Sequence, residues 1–333
     1  MSKTVLVTGG NGFLGSHIVL QLLQAGYTVR TSVRSAAGRA DLIKTLSEHG
    51  IDNLDHLTFF IADILADEQW AKAFDGVNYF LSVASPVFFQ KEPANEMTEI
   101  SKAGTLRLLR FAKAAHVEKI VMTSNYGAIG FSSFDKTKLI TEADWTDANQ
   151  KGLSPYEKSK LLAERAAWDY AKKHQLNFTT INPVAMFGPS LNHHFSGSFN
   201  IIKNLQNSTM KRIPDIALNV VDVRDVAKLH LLAMENPAAT NQRFIASATG
   251  EITFMEIAQI IKQQSNTKMK LKKLPTFALK IAAPFNNSAQ EALLLIKLNR
   301  QVSNEKAKRL LGWHETRNNT EIILASLASL SQV

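Results

Sequence analysis

The chain has 333 residues, 45% of them hydrophobic, enough to bury a sizeable core as one large domain or two unequal ones. It contains no cysteine, which excludes disulfides, thiolate catalysis and cysteine-ligated metal, and which a reducing compartment allows. The formal charge of +9, from 38 Lys and Arg against 29 Asp and Glu, favours anionic ligands and says nothing about fold.

Thr4 to Val7 is a β-branched and aliphatic run of the length of a buried parallel strand. Gly9, Gly12 and Gly15 follow as G-x-x-G-x-x-G around Phe13 and Leu14, and Ser16 to Ala25 reads as a helix closed by Gly26. Strand, glycines and helix in that order predict a dinucleotide site. One glycine allows the tight turn, one lets the backbone reach a pyrophosphate, and one lets helix and strand pack closely. The unpaired amides and dipole of the helix N-terminus attract the anion. The alternative is a structural turn that binds nothing.

Tyr27 to Val33 is the second strand. Its end meets the adenosine ribose in a dinucleotide fold, where a carboxylate accepts the hydroxyls of NAD and an arginine pairs with the 2'-phosphate of NADP. Arg34 stands there, with no carboxylate between Tyr27 and Ala40, so NADP is the expected cofactor, NADPH preferred over NADH. Arg39 and Lys44 are weaker candidates or ordinary surface charge, Lys44 on a helix from Asp41 to Glu48. A third strand, Leu57 to Ala62, ends at Asp63 and Ile64, which suit the adenine amino group and ring; Asp63 is otherwise an N-cap for a short helix from Asp67 to Phe74. The fourth strand, Val77 to Val83, opens into Ala84 and Ser85, and these small residues permit close approach of the cofactor ribose. Phe88 and Phe89 beyond it line an apolar substrate pocket or belong to the core.

A helix from about Glu96 to Ala115 leads to a fifth strand, Lys119 to Thr123, from which Ser124, Asn125 and Tyr126 leave at the ligand edge. The alternation predicts an α/β fold with a doubly wound, mostly parallel sheet. Phe131 to Gln150 is polar and irregular, with Trp145 an anchor or a pocket wall. A long helix then runs from Ser154 to about His174, with Pro155 suited to its first turn and Tyr156 and Lys160 on one face. Phe178 to Val184 is a further strand carrying Asn182 and Pro183. Ser190 to Ile213 has no clean period and reads as substrate-side structure; Asn219 to Ala227 returns the chain to the sheet layer and starts a helix to about Glu235. Arg243 to Ala246 is a short strand, and the remainder is mainly helical.

The expected division is a Rossmann domain over residues 1–184, to which 215–247 returns, and a smaller, mainly helical substrate-binding lobe from 185–214 and 248–333, with the cleft between them. Apolar runs are broken by charge well before eighteen residues, so neither a signal peptide nor a membrane span is expected, and the cytoplasm is the expected location. The basic stretch Lys268 to Lys273 lacks interleaved aromatics and reads as a solvated face, so no nucleic-acid partner is expected.

Tyr156 and Lys160 carry the expected chemistry. A phenol is a poor acid or base at neutrality, and an ammonium one helical turn away stabilises the phenolate and lowers its pKa; the same lysine can hold a cofactor ribose hydroxyl. His193 and His194 lack a partner at a ligand spacing, so no metal is expected. Asp222 and Asp225 around Arg224 read as a cap and salt-bridge network, and His17 as packing or partly exposed.

Together these motifs resemble the extended short-chain dehydrogenase/reductases, the NAD-dependent epimerase/dehydratase superfamily, and within it the dihydroflavonol reductase, cinnamoyl-CoA reductase and yeast methylglyoxal (aldehyde) reductase branch. The resemblance rests on Thr8 to Gly15, Val33-Arg34, Val83 to Pro86, Tyr156 to Lys160, Asn182-Pro183 with Phe187 to Pro189, and Val221 to Ala227. It implies an NADPH-dependent reductase of aldehydes or ketones, with Tyr156 as proton donor, Lys160 positioning the cofactor, and Pro183 and Val184 beside the nicotinamide. The family's pattern after the fifth strand is Thr-Ser-Ser, the second serine holding the substrate carbonyl. Here Thr123-Ser124-Asn125 stands instead, so the Asn125 amide takes that place, or Ser124 if the turn is shifted by a residue. Tyr126 is a further pocket candidate. The expected partner is a small carbonyl compound, and the expected assembly a monomer or homodimer. The rival readings are a nucleotide-sugar epimerase or dehydratase and a catalytically impaired NADP-binding regulator.

Overall fold

A computed structural model describes residues 3–86, 94–207, 209–265 and 271–331; Phe88, Phe89 and the first part of the Lys268 to Lys273 stretch lie outside them. The elements of the first half are β1 (Thr4–Thr8), α1 (Phe13–Gln24), β2 (Thr28–Val33), α2 (Ala36–Glu48), β3 (Leu57–Ile61), α3 (Trp70–Phe74), β4 (Tyr79–Ser82), α4 (Ala94–Ala114), β5 (Lys119–Thr123), α5 (Gly127–Gly130), α6 (Pro155–Lys173) and β6 (Phe178–Pro183). The second half adds β7 (Ala185–Phe187), α7 (Phe199–Gln206), β8 (Ala217–Leu218), β9 (Val220–Asp222), α8 (Val223–Glu235), β10 (Arg243–Ala246), β11 (Ile252–Thr253), α9 (Phe254–Ser265), α10 (Thr276–Ala282), α11 (Asn287–Lys297), α12 (Glu305–Leu311) and α13 (Asn319–Leu330).

Seven parallel strands form one sheet in the order β10-β6-β5-β4-β1-β2-β3. The order reverses at β1, so a crevice opens at the carboxyl ends of β1 and β4, the place where such sheets bind ligands. The strands are apolar on both faces because helices cover both. Leu6, Phe80, Ile120, Met122 and Phe178 pack with Trp70, Phe74, Leu108 and Ala167 on the face covered by α4 and α6. Val5, Val7, Leu81, Val121 and Ile181 point the other way, into the core with Ile18, Leu22, Val226 and Leu229 under α1 and α8. This is the doubly wound α/β architecture, with the helical segments beyond β10 forming the lobe.

Helix α3 starts at Trp70 rather than Asp67, and two further features differ from the expectation. Helix α2 begins at Ala36, five residues before Asp41, because the Ser35 hydroxyl accepts from the Gly38 amide and caps it. Residues 219–222 do not rejoin the main sheet: β9 pairs in parallel with β7 in a sheet of two strands, and only β10 joins the seven. Asp222 then caps α8 through the Arg224 amide and pairs with the Arg224 guanidinium at 2.6 Å, while Asp225 accepts from the Thr316 amide and hydroxyl, so both acids have structural partners. His17 is buried in α1 with Nε2 at 2.9 Å from the Pro189 carbonyl. Among the described residues no helix is long and apolar enough to cross a membrane, and no group of three or more His, Asp or Glu is placed to hold a metal.

Candidate active site

The glycine turn is built by close approach. Gly9 has φ +71°, Gly10 donates to the Ser32 carbonyl at 3.0 Å, and Gly12 donates to the Gly9 carbonyl at 3.0 Å. A Cβ on Gly15 would lie 2.1 Å from the Gly9 carbonyl oxygen, and one on Gly10 2.0 Å from Thr31 Oγ1. The space is filled by backbone alone. Helix α1 starts at Phe13 with no side-chain cap, so its first-turn amides are left for an anion in front of them. The buried Thr8 hydroxyl accepts from the amides of Val83 and Ala84, both at 3.0 Å, and pins the end of β4 against this loop. Ala84 Cβ stands 3.2 Å from where a Gly9 Cβ would be, leaving no room for a larger residue at either position. These features fit a dinucleotide. Gly15→Ala is expected to push α1 off β1, costing about 1–3 kcal/mol as overpacking does, with cofactor affinity lost alongside; thermal unfolding with and without NADPH checks it.

Around this loop the charged candidates separate. Arg34 is exposed directly after β2 and makes no ion pair or hydrogen bond among the described residues. Arg39 lies over the Phe59 ring at 5.3 Å, and Lys44 pairs with Glu48 at 3.7 Å along α2. Asp63 accepts from the Leu65 amide at 2.9 Å rather than capping α3, whose N-cap is the left-handed Gln69. Ile64 is half-buried beside it, packed on the core under α4.

The residues expected to react come from β5, α6 and β6. Ser154 caps α6 through the Glu157 amide at 3.3 Å, and Pro155 occupies the first turn, which fixes the helix start one residue before Tyr156. Tyr156 presents 44% of its surface, and Lys160 Nζ lies 5.9 Å from its ring centroid. The Asn125 side chain stands close enough to the Tyr156 phenol to lower its pKa. Asn125 Oδ1 accepts from the Gly127 amide, which leaves its NH2 as the group available to donate. Ser124 faces the other way: its hydroxyl donates to Glu164 at 2.5 Å in the buried interior. Lys160, Ser124, Ala84 and Ser85 line one small cavity at the carboxyl edge. Pro183 ends β6, its carbonyl accepting from the Tyr126 amide at 2.9 Å, and the Val184 amide donates to Ala246 at 3.1 Å. Tyr126 is 4% exposed, packed edge-on to Phe131, so its ring belongs to the core.

Burial dominates the titration of the site. It pushes the Tyr156 phenol up to about 12, the Glu157 charge adding to the rise and Asn125 opposing it. It also pushes the Lys160 ammonium down to about 8 and the Glu157 carboxyl up to about 7, with Glu291 adding to the latter. The expected depression of the phenol by Lys160 does not arise in this structure, where only Asn125 opposes the rise. Tyr156 is held as a neutral acid across the physiological range.

Behind these groups lies a network that the sequence reading missed. Fully buried Glu164 accepts from Ser124 Oγ and from Asn182 Nδ2 at 2.7 Å on Oε2, and from Arg243 Nε at 2.8 Å, Thr180 Oγ1 at 3.2 Å and Trp168 Nε1 at 3.3 Å on Oε1. Asn182 Nδ2 also donates to the Asn125 carbonyl at 3.2 Å. The Arg243 guanidinium sits 3.7 Å from the Trp145 ring centroid and donates to the carbonyls of Glu142 and Asp144, which fixes Trp145 as an anchor. The available signal was the continued spacing of four, Tyr156, Lys160, Glu164, along one helix face.

Residues 5–246 match the model of the NAD dependent epimerase/dehydratase family. The chain belongs to that family. Within it the chain is related to a reductase branch. It is 33% identical over 269 residues to dihydroflavonol 4-reductase of Callistephus chinensis, covering 78% of this chain and 72% of the relative. The Gre2 structure from Candida albicans, in complex with NADPH, superposes with a TM-score of 0.79 at 28% identity and 99% coverage of both chains. Yeast methylglyoxal/isovaleraldehyde reductase Gre2, complexed with NADPH, gives a TM-score of 0.78 at 25% identity over 99% of this chain and 98% of the other. For this member of the epimerase/dehydratase family, the glycine turn and the α6 face thus belong to a scaffold shared with reductases.

Proposed function

We propose that this chain is an NADPH-dependent oxidoreductase that reduces small or aromatic aldehydes and ketones to alcohols. The observation that carries the reading is the convergence of Tyr156, Lys160 and the Asn125 amide at the carboxyl edge of the sheet, next to a glycine turn with open amides. The two NADPH complexes among its structural relatives support the cofactor choice, as does unpaired Arg34.

Gly9, Gly12, Phe13, Leu14 and Gly15 hold the pyrophosphate on the end of α1. Arg34 takes the 2'-phosphate, Asp63 and Ile64 the adenine, Val83, Ala84 and Ser85 the ribose edge, and Lys160 the hydroxyls of the second ribose, with Pro183 and Val184 against the nicotinamide. Bound NADPH supplies the hydride. Asn125 donates its amide N–H to the substrate carbonyl oxygen and polarises it. Tyr156 gives its proton to that oxygen as negative charge develops, a favourable transfer because a phenol is a far stronger acid than an alcohol. Ser124, committed to Glu164, acts on the turn that carries Asn125 rather than on the substrate.

The test is NADPH oxidation by the purified protein over methylglyoxal, aliphatic and aromatic aldehydes, diketones and ketoesters, with NADH in parallel. Turnover with NADPH ahead of NADH is expected, and no turnover anywhere on the panel would leave a cofactor-binding regulator. Arg34→Ala should weaken NADPH by about 10- to 100-fold, the loss of a charge-assisted pair, and NADH far less; equal losses dismiss the contact.

A further inference from the structure

Helix α10 turns large apolar side chains away from the core. Phe277 and Ile281 stand four apart on one face of it, and Phe285 follows just beyond its end; they are 65%, 69% and 92% exposed. Leu279, on the opposite face, is the buried one. Single exposed apolar residues are ordinary, whereas three in one stripe mark a contact surface. The stripe is also held in place. Gln290 Nε2 of α11 donates to the Ala283 carbonyl at 2.7 Å, and ahead of the helix the Leu274 amide donates to the Ile213 carbonyl and the Ile213 amide to the Lys272 carbonyl, both at 2.8 Å.

That pairing gathers positive charge at the head of the stripe. It sets Lys211 and Arg212 alongside Lys272 and Lys273, and Lys280 stands next to Ile281 in α10. All five are exposed, and none forms an ion pair among the described residues. The chain has no Asp or Glu from Leu271 to Gln290, and Asp215 is the one acid between Met210 and Ile216. An apolar stripe bordered by free cations complements a surface that is anionic outside and apolar within. Phe285, at 92% exposure, projects from the protein, which suits insertion into a layer that deforms around it rather than capture of a partner in a groove.

We propose that the α10 stripe and the cations around it form a docking surface for an anionic lipid bilayer. Phe277, Ile281 and Phe285 enter the headgroup region, the lysines and Arg212 pair with lipid phosphates, and α10 lies along one leaflet without crossing it. The contact does not depend on the reductase reading.

The test is flotation of the full chain with vesicles of mixed phosphatidylcholine and phosphatidylglycerol, and with vesicles of phosphatidylcholine alone, over a series of salt concentrations. At low salt the mixed vesicles should bind about tenfold more tightly or better, and added salt should release the protein. Phe277→Ser with Phe285→Ser should weaken binding to the mixed vesicles by about tenfold or more. Lys272→Gln with Lys273→Gln and Lys280→Gln should remove most of the difference between the two vesicle types. No flotation with the mixed vesicles, or unchanged binding in either variant, overturns the surface. A dimer in analytical ultracentrifugation that Phe277→Ser with Phe285→Ser dissociates would assign the stripe to a second copy and overturn the lipid reading as well. Should a multiple variant fail to fold, Phe285→Trp reads the contact in an otherwise unaltered chain: its emission should shift to the blue with mixed vesicles beyond any shift of the wild type, and an equal spectrum with and without them overturns the proposal.

Discussion

Tyr156→Phe is expected to lower kcat for carbonyl reduction by about 10²- to 10⁴-fold, the range spanned by a positioned general acid, with NADPH binding nearly unchanged. The variant removes only the phenolic oxygen. The α6 cap at Ser154 and the position of Lys160 remain, so the loss should fall on the chemical step, and steady-state kinetics with a parallel NADPH titration check both halves. The pH dependence has a worked sign. Because the phenol is raised above its ordinary value, Tyr156 stays protonated at neutral pH and sets no limit there. Lys160, pushed down to about 8, carries its charge below that value and loses it above, so reduction efficiency should fall as pH rises through about 8. Glu157, raised to about 7, gains charge as pH rises through that value, and this further opposes phenolate at Tyr156.

Glu164→Ala should be the most destabilising substitution in the site, about 3–5 kcal/mol, as for other broken buried pairs. The variant would leave the Arg243 guanidinium buried beside Trp145 with its ion pair gone, and would strand the Ser124 hydroxyl and one contact of Asn182. Asn182 also holds the Asn125 carbonyl, so the turn that aims the Asn125 amide should loosen. Glu164→Gln keeps an acceptor for Arg243 and should cost less. Urea unfolding of the two variants measures the difference; a midpoint within error of wild type for Glu164→Ala would mean that the network contributes nothing to stability.

Legibility in the sequence followed the range of the interactions. The glycine turn is a local pattern, because strand, tight turn and helix start are adjacent, and the same holds for Tyr156 and Lys160 one turn apart on α6. The place of Arg34 could be counted from the glycines. The Glu164 network could not, because Arg243 reaches it from a strand 79 residues away and Asn182 from another, 18 residues away. Ser124 and Asn125 are neighbours whose side chains diverge, one into the interior and one to the phenol, and no composition signal separates them. The strand at Val220 was recognisable, but its pairing with β7 instead of the main sheet depends on a chain path set by distant packing. Tyr126 reads as a pocket residue until Gly130 and Phe131 are seen to enclose it.

The most direct measurement follows the hydride itself. NADPH carrying deuterium at the transferable position is incubated with the protein and the best aldehyde of the panel, and the alcohol is examined by mass spectrometry and NMR. One deuterium on the carbinol carbon with wild type, and almost no alcohol with Tyr156→Phe, is the expected result; an alcohol without the label, or equal product from both proteins, would contradict it.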